Sequence, residues 1–421
     1  MAPPEFPVAM FAARRKIFRH NSLGLTALAA LTLGGLPTAV LAQSQTVAAA
    51  PVAAAWTPAS AAALATALRH ADAHGLDASD LARAVEAAGP GDATRLNRIA
   101  LTYARALALG MVDPRRLNVV FSLETNRRPL DAELAQALRE DRLGPWLASL
   151  APQDDDYRTL SEAYLQARAA AGRHPGSKAL DLKARTLALN LERRRWLARG
   201  AAPTRIDVNV AATRLWFFKD GILLDSRKVV AGAPGHETPL LQASFRRIVT
   251  NPGWTVPPDI AKREILPKGA GYMARHDMRL VNGRVVQDPG PDSALGRVKF
   301  DLNDDQAIYL HDTPVQAAFD RSNRNLSHGC IRVEDAVGFA RIVADAFGAA
   351  DRFDDRLATG ETGSVSLGAD VPVRLVYETA YVDQGEVRFA ADHYGWDAKL
   401  ADALGMSASD AVVAAPLRDD A

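Results

Sequence analysis

The hydrophobic period of the chain changes once, near Pro203, and that change limits the folds open to it. From about Ser60 to Arg199 apolar residues recur at steps of three and four, as in "TRLNRIALTYARALALG" and "DAELAQALRE". Gly75, Gly89-Pro90-Gly91, Gly110 and Pro114 punctuate the pattern. After Pro203 the apolar positions alternate instead (Ile206, Val208, Val210), and Asp220-Gly221 separates two strand-like runs. A helical unit followed by a β-rich unit is an α+β chain of two domains. The longest helix, "KALDLKARTLALNLERRRWLARG", ends at Gly200. Its Arg193-Arg194-Arg195 run reads as a solvated face and Trp196 as a packing residue.

The boundaries that follow are a helical domain over 60–202 and a β-rich domain over 203–395. A connection over 258–290 carries a short helix and a hairpin at Asn282-Gly283, and a tail runs over 396–421. Long connections in compact domains are more often functional than idle. "VEDAVGFARIVADAF" reads as an amphipathic helix. The strands joined at Asp383-Gln384-Gly385 read as returning to the β domain.

The N-terminus has the form of an export signal. Arg14, Arg15, Lys16 and Arg19 precede an apolar run that ends in Val40-Leu41-Ala42. Cleavage is expected after Ala42, with Met10 as the start. Gly34, Gly35 and Pro37 argue against a permanent anchor. "RRKIFR" loosely fits a twin-arginine signal. An Ala/Pro-rich spacer over 43–59 follows. The 50 basic and 49 acidic residues leave no charge excess that would suggest nucleic acid as a partner.

Export bears on the single cysteine, Cys330, in "SHGCIRV". One thiol in an exported chain is a buried filler, an intermolecular partner or a reactive group. It cannot build a cysteine-rich structural zinc site. A nucleophilic thiol needs a base and donors for the oxyanion it creates. His311, in "YLHDTP", ends a strand-like run from which an imidazole can be aimed. His328 is two residues from the thiol and shares its face if the backbone is extended there. The amides of Gly329 and Cys330 are candidate oxyanion donors, and Arg332 a candidate carboxylate holder.

"HDTPVQAAFDRSNRNLSHGCIRV" resembles the signature of the L,D-transpeptidase catalytic domain: a histidine, a spacer, then Ser/Thr-His-Gly-Cys. "NPGWTVPPDIAKREILPK", "DPGPDSALGRVKF" and "PVRLVYETAYVDQGEVRF" extend the resemblance. "HGLDASDL", "LTYARALALGMVDP", "LAPQDDDYRTLSEAY" and "TLALNLERRRWL" resemble the scaffold of the large periplasmic branch. The fold this implies is a mainly β-sandwich catalytic domain with a separate N-terminal helical scaffold domain. Two features depart from that branch: no small peptidoglycan-binding module precedes "LNLERRRWL", and the 258–290 capping-type loop is short.

The resemblance implies Cys330 as acylated nucleophile and His311 as base. Ser327, His328, Gly329, Tyr309, Arg332 and Trp254 would line the oxyanion and substrate site, while the role of Asp312 is left open. It also implies a periplasmic enzyme acting on peptidoglycan stem peptides, with carbapenems as inhibitors and no stable membrane anchor. Cys330 would form a thioester that a second stem resolves into a 3→3 crosslink, with no metal or organic cofactor needed. Water, a free D-amino acid and a lipoprotein lysine are alternative acceptors. A cysteine peptidase and a non-catalytic wall-binding protein are the readings from other classes.

Overall fold

The computed structural model describes residues 55–406 apart from 89, 90, 118 and 291. The expected leader and most of the spacer lie outside the described residues. The end of the spacer is already packed: Trp56 is buried and its indole N–H donates to Asn97 Oδ1 at 2.9 Å. Thr57 then caps the first helix, and its hydroxyl and Ser60 form a capping box.

Seven helices come first: α1 (Pro58–Arg69), α2 (Ser79–Ala88), α3 (Ala93–Leu109), α4 (Leu130–Arg139), α5 (Leu143–Ala148), α6 (Asp155–Arg173) and α7 (Lys178–Trp196). A two-residue strand, β1 (Phe121–Ser122), lies between α3 and α4. The following strands are β2 (Arg205–Asn209), β3 (Arg214–Lys219), β4 (Ile222–Gly232) and β5 (Leu240–Thr250). Later come β9 (Val298–Asp301), β10 (Tyr309–His311), β11 (Asn325–Ser327), β12 (Ile331–Val333) and β13 (Gly363–Val376), after an inserted unit holding β6 to β8.

Each of eight strands pairs with the next in the ring β5-β13-β2-β3-β4-β12-β10-β9, and β9 pairs back onto β5. The two layers expected of a sandwich are therefore joined at both edges. Closure leaves no free edge among these eight and gives each strand one inward and one outward face. Phe217, Phe245, Ile248, Phe300, Leu310 and Ile331 point inward. Phe339 of α10 (Ala336–Ala346) meets Phe217 edge-on and Phe300 at a tilt, so this helix caps the same core.

The inserted unit has its own small core. It comprises β6 (Trp254–Thr255), α8 (Pro258–Ile260), α9 (Gly269–Arg275), β7 (Met278–Val281) and β8 (Arg284–Gln287), with sheet order β6-β8-β7. Val256, Ala261, Ile265, Met273, Met278 and Val285 pack together beneath it. The Asn282-Gly283 turn lies between β7 and β8, with both residues at positive φ.

Helix α7 differs from its sequence reading. Leu187 and Leu191 belong to the helical core, whereas Leu189 and Trp196 belong to the barrel core. The helix thus lies between two cores, with Arg193 and Arg195 buried and Arg194 half-buried rather than forming a solvated face. Arg195 donates to Glu192 at 2.6 Å, with both side chains 1% exposed. Arg193 Nη1 donates to Asp397 at 2.5 Å, and Arg194 pairs with Asp154 at 2.5 Å.

Asp397 lies in α12 (Trp396–Ala403), within the segment expected to be a tail. Trp396, Leu400 and Ala401 are buried in the barrel core there. The strands around Asp383 also depart from expectation. β13 joins the main sheet, but β14 (Ala380–Asp383) and β15 (Glu386–Phe389) pair only with each other. Ala380, Val382, Val387 and Phe389 pack on the helical core.

Because Arg193 and Asp397 are both under a tenth exposed, removing one leaves an uncompensated buried charge. Arg193→Ala is expected to lose about 3–5 kcal/mol in urea unfolding. The Arg193→Met/Asp397→Leu pair should recover much of it, since apolar replacement removes both charges. A loss below about 1 kcal/mol in the single variant would contradict this role for the pair.

Candidate active site

The site is set by one parallel strand pair. Leu310 pairs with Ile331 and His311 with Arg332. Leu310 and Ile331 are fully buried in the barrel, so alternation turns Tyr309, His311 and Arg332 to the outer face. One step back in the register, Cys330 falls beside Tyr309. On the other flank His311 pairs with Lys299, and Tyr309 with Asp301.

The imidazole is fixed from one side. His311 Nδ1 lies 2.5 Å from the Asp312 carbonyl oxygen, an acceptor only, so in the neutral ring the proton is on Nδ1 and Nε2 carries the lone pair. Burial lowers the His311 pKa to about 3, with the Arg332 and Lys299 charges acting in the same direction. The ring is therefore neutral across the physiological range.

The Asp312 side chain holds that carbonyl in place. Its carboxylate accepts the Arg297 N–H at 2.9 Å and the Thr313 N–H at 2.7 Å. Its own N–H donates to Val298 at 3.0 Å. Gly296 makes room, since a Cβ there would sit 2.3 Å from Asp312 Oδ2. Asp312 thus positions His311 through the main chain.

The thiol is half-buried, and Cys330 Sγ donates to the Ala307 carbonyl at 3.8 Å. Burial raises its pKa above the ordinary value, opposed by the Tyr309 N–H and hydroxyl and by Lys299. The Tyr309 hydroxyl is held protonated by burial and by the neighbouring thiol. Lys299 Nζ lies 4.2 Å from the Tyr309 ring centre. The Trp254 indole N–H is buried without a partner of good hydrogen-bond geometry, yet is near enough to the phenol to lower its pKa. Arg332 Nε is likewise buried without a partner, and burial lowers this guanidinium's pKa.

Three of the sequence-selected residues serve the loop. Gly329 has φ +114°, a conformation suited to glycine, and it breaks the extended run that would have put His328 beside the thiol. His328 turns instead to the inserted unit, with Nε2 at 2.6 Å from Glu264 Oε1 and its ring 4.9 Å from that of His236. The Gly329 amide, expected as an oxyanion donor, donates to Ser327 Oγ at 3.1 Å. Ser327 is buried, and its hydroxyl donates to the Cys330 carbonyl at 2.6 Å.

Sequence reading missed Lys299, Glu264 and Thr238. The Thr238 hydroxyl donates to the Gly329 carbonyl at 2.7 Å and accepts the Gly232 N–H at 2.9 Å. Alternation through "GRVKFDLN" marks Lys299 as outward, but only the register places it beside His311. Among the described residues no cluster of side chains is suited to hold a metal ion, and no helix is long and apolar enough to cross a membrane.

This arrangement, an outward thiol and a neutral imidazole on adjacent strands, coincides with a family match. Residues 203–370 match the model of the L,D-transpeptidase catalytic domain, and residues 51–163 match that of a scaffold domain. Residues 203–370 belong to the L,D-transpeptidase catalytic-domain family. A curated Haemophilus influenzae protein, provisionally named an L,D-transpeptidase, is 33% identical over 220 residues. That match covers 46% of this chain and 45% of the relative, so the chain spans less than half of that protein's length.

Among solved structures, the catalytic domain of the Enterococcus faecium L,D-transpeptidase is 18% identical with a TM-score of 0.24, covering 42% of this chain and 99% of that one. A Mycobacterium smegmatis L,D-transpeptidase is 16% identical with a TM-score of 0.24, covering 42% of this chain and 60% of that one. The assignment rests on the domain-family match.

The two pKa shifts give the L,D-transpeptidase domain a defined pH response. A lowered His311 pKa keeps the ring neutral at every pH above about 3, so no base is lost between pH 5 and 8. A raised Cys330 pKa puts thiolate formation above the ordinary thiol range. Alkylation of Cys330 by iodoacetamide is therefore expected to accelerate steadily past pH 9, with no inflection near 6.5. A plateau reached by pH 7 would contradict both assignments.

Proposed function

We propose that the protein is a peptidoglycan L,D-transpeptidase working through a thioester on Cys330. The observation that carries this is the shared outer face of Cys330, Tyr309, His311 and Arg332, with the His311 Nδ1 directed at the Asp312 carbonyl. In the first step His311 Nε2 takes the thiol proton while sulfur attacks the carbonyl of the third stem residue. The C–N bond breaks, and the imidazolium returns the proton to the departing D-alanine amine. Burial disfavours the imidazolium, so it is a transient species rather than a resting one.

The oxyanion is met by the Tyr309 hydroxyl and the Cys330 N–H, the Gly329 amide being committed to Ser327. Arg332, with its buried unpartnered Nε, holds a substrate carboxylate. In the second step the side-chain amine of another stem attacks the thioester, releases the thiol and forms the 3→3 crosslink. Trp254 closes the site from the inserted unit, which His328 joins through Glu264. The reaction belongs to the cell envelope, in the periplasm, on a chain exported by its leader. Carbapenems, whose strained lactam presents the same kind of carbonyl, acylate the same sulfur.

Incubation with a carbapenem and intact-mass analysis tests the nucleophile. Wild type should gain one carbapenem mass and Cys330→Ala none; an adduct that persists in Cys330→Ala would overturn the assignment. His311→Ala should slow acylation by about 10²–10⁴-fold, with His328→Ala far less affected. With tetrapeptide-containing muropeptides, crosslinked dimers support the proposed acceptor. Shortened tripeptides or exchanged termini identify water or a free D-amino acid instead.

A further inference from the structure

Two register pairs lie on the β9 side of the site: His311 stands beside Lys299, and Tyr309 beside Asp301. Lys299 and Asp301 share the outer face of β9, because Val298 and Phe300, which alternate with them, are buried in the barrel. The Lys299 ammonium lies 4.2 Å from the centre of the Tyr309 ring and also pairs with Asp301 at 2.5 Å. Tyr309 is the neighbour of Cys330 across the β10–β12 pair. A charge over its ring is therefore about one strand step, roughly 5 Å, from the row that carries the sulfur.

An ordinary surface ion pair leaves both groups in water. Here the Lys299 side chain is 21% exposed and that of Asp301 50%. Water screens the carboxylate more than the ammonium, so the pair presents net positive charge to the site. The negative face of the phenol ring holds the ammonium in place. Among the other groups near the thiol, Arg332 of β12 is assigned to a substrate carboxylate and His311 of β10 is neutral. From β5, Val249 stands beside Lys299 and brings no charge. Asp304, in the loop after β9, adds to the burial that raises the Cys330 thiol, whereas Lys299 opposes it.

We infer that Lys299 supplies the standing positive charge for the anion formed at Cys330, with the Tyr309 ring and Asp301 as the groups that hold it there. The inference deepens the proposed thiol chemistry and rests on it. Once a substrate carboxylate neutralises Arg332, Lys299 is the cation left to act on the thiolate and on the oxyanion that replaces it. The same charge disfavours the His311 imidazolium. It therefore favours prompt return of the proton to the departing amine over a resting ion pair.

Alkylation of Cys330 by iodoacetamide, in short pulses on the full chain, reads the thiolate without a wall substrate. Lys299→Met removes the charge and keeps an unbranched stem; it should react about 3–10-fold more slowly than wild type between pH 8 and 9. The difference should close toward about pH 11, where the thiol is ionised in both proteins. Altered access to the sulfur would instead persist at every pH. Lys299→Arg should stay within about twofold of wild type, since it keeps the charge over the ring. Asp301→Asn breaks the pair from the other side and should react at least as fast as wild type. A Lys299→Met rate equal to wild type, a deficit independent of pH, or an Asp301→Asn rate as slow as that of Lys299→Met overturns the inference. Absence of a carbapenem adduct on wild type would instead overturn the proposed acyl-enzyme and leave this result standing.

Discussion

The parallel pairing of β10 with β12 is the constraint on which the site depends. It fixes which residues face out: with Leu310 and Ile331 held in the barrel core, the flanking Tyr309, His311 and Arg332 have no other side to occupy. A register slip of one residue would turn the imidazole into the barrel core and leucine out of it, at the cost of the core. The same packing that stabilises the barrel therefore specifies the spacing of imidazole and thiol. Closure of the ring reinforces this, because β9, held on its other side by β5, flanks β10 and carries Lys299 to the same face.

Around that pair, main-chain groups do much of the positioning. The Asp312 carbonyl chooses the tautomer of His311, and the Asp312 carboxylate is spent on the Arg297 and Thr313 amides. Ser327 and Thr238 brace the turn on either side of Gly329. Together they fix the positive-φ turn, open to glycine without steric penalty, next to Cys330. The inserted unit reaches the same turn through Glu264 and His328, so that unit and the loop that presents the thiol are physically joined.

Much of this was legible in the sequence because it depends on local period. The switch at Pro203 and the turns at Asp220-Gly221 and Asn282-Gly283 follow from patterns a few residues long, whereas the pairing of Cys330 with His311 rests on the family resemblance of "HDTPVQAAFDRSNRNLSHGCIRV". The errors have a common origin in tertiary context. Three consecutive arginines resemble a solvated face until α7 is seen to lie between two cores; the unbroken burial of Thr186–Arg193 has no polar side to spare. Alternation around Asp383 identifies strands but not their partners, so the hairpin's place on the helical core was beyond reach. Alternation also assumed extended backbone at Gly329, and one positive φ sent His328 the other way.

The proposed chemistry depends on His311 being a neutral imidazole with its proton on Nδ1. Nitrogen-15 NMR of the imidazole in the full chain tests it most directly. The account expects the Nδ1–H tautomer, with a bare Nε2, unchanged from pH 5 to pH 8. An Nε2–H tautomer, or an imidazolium titrating near pH 6.5, would contradict it.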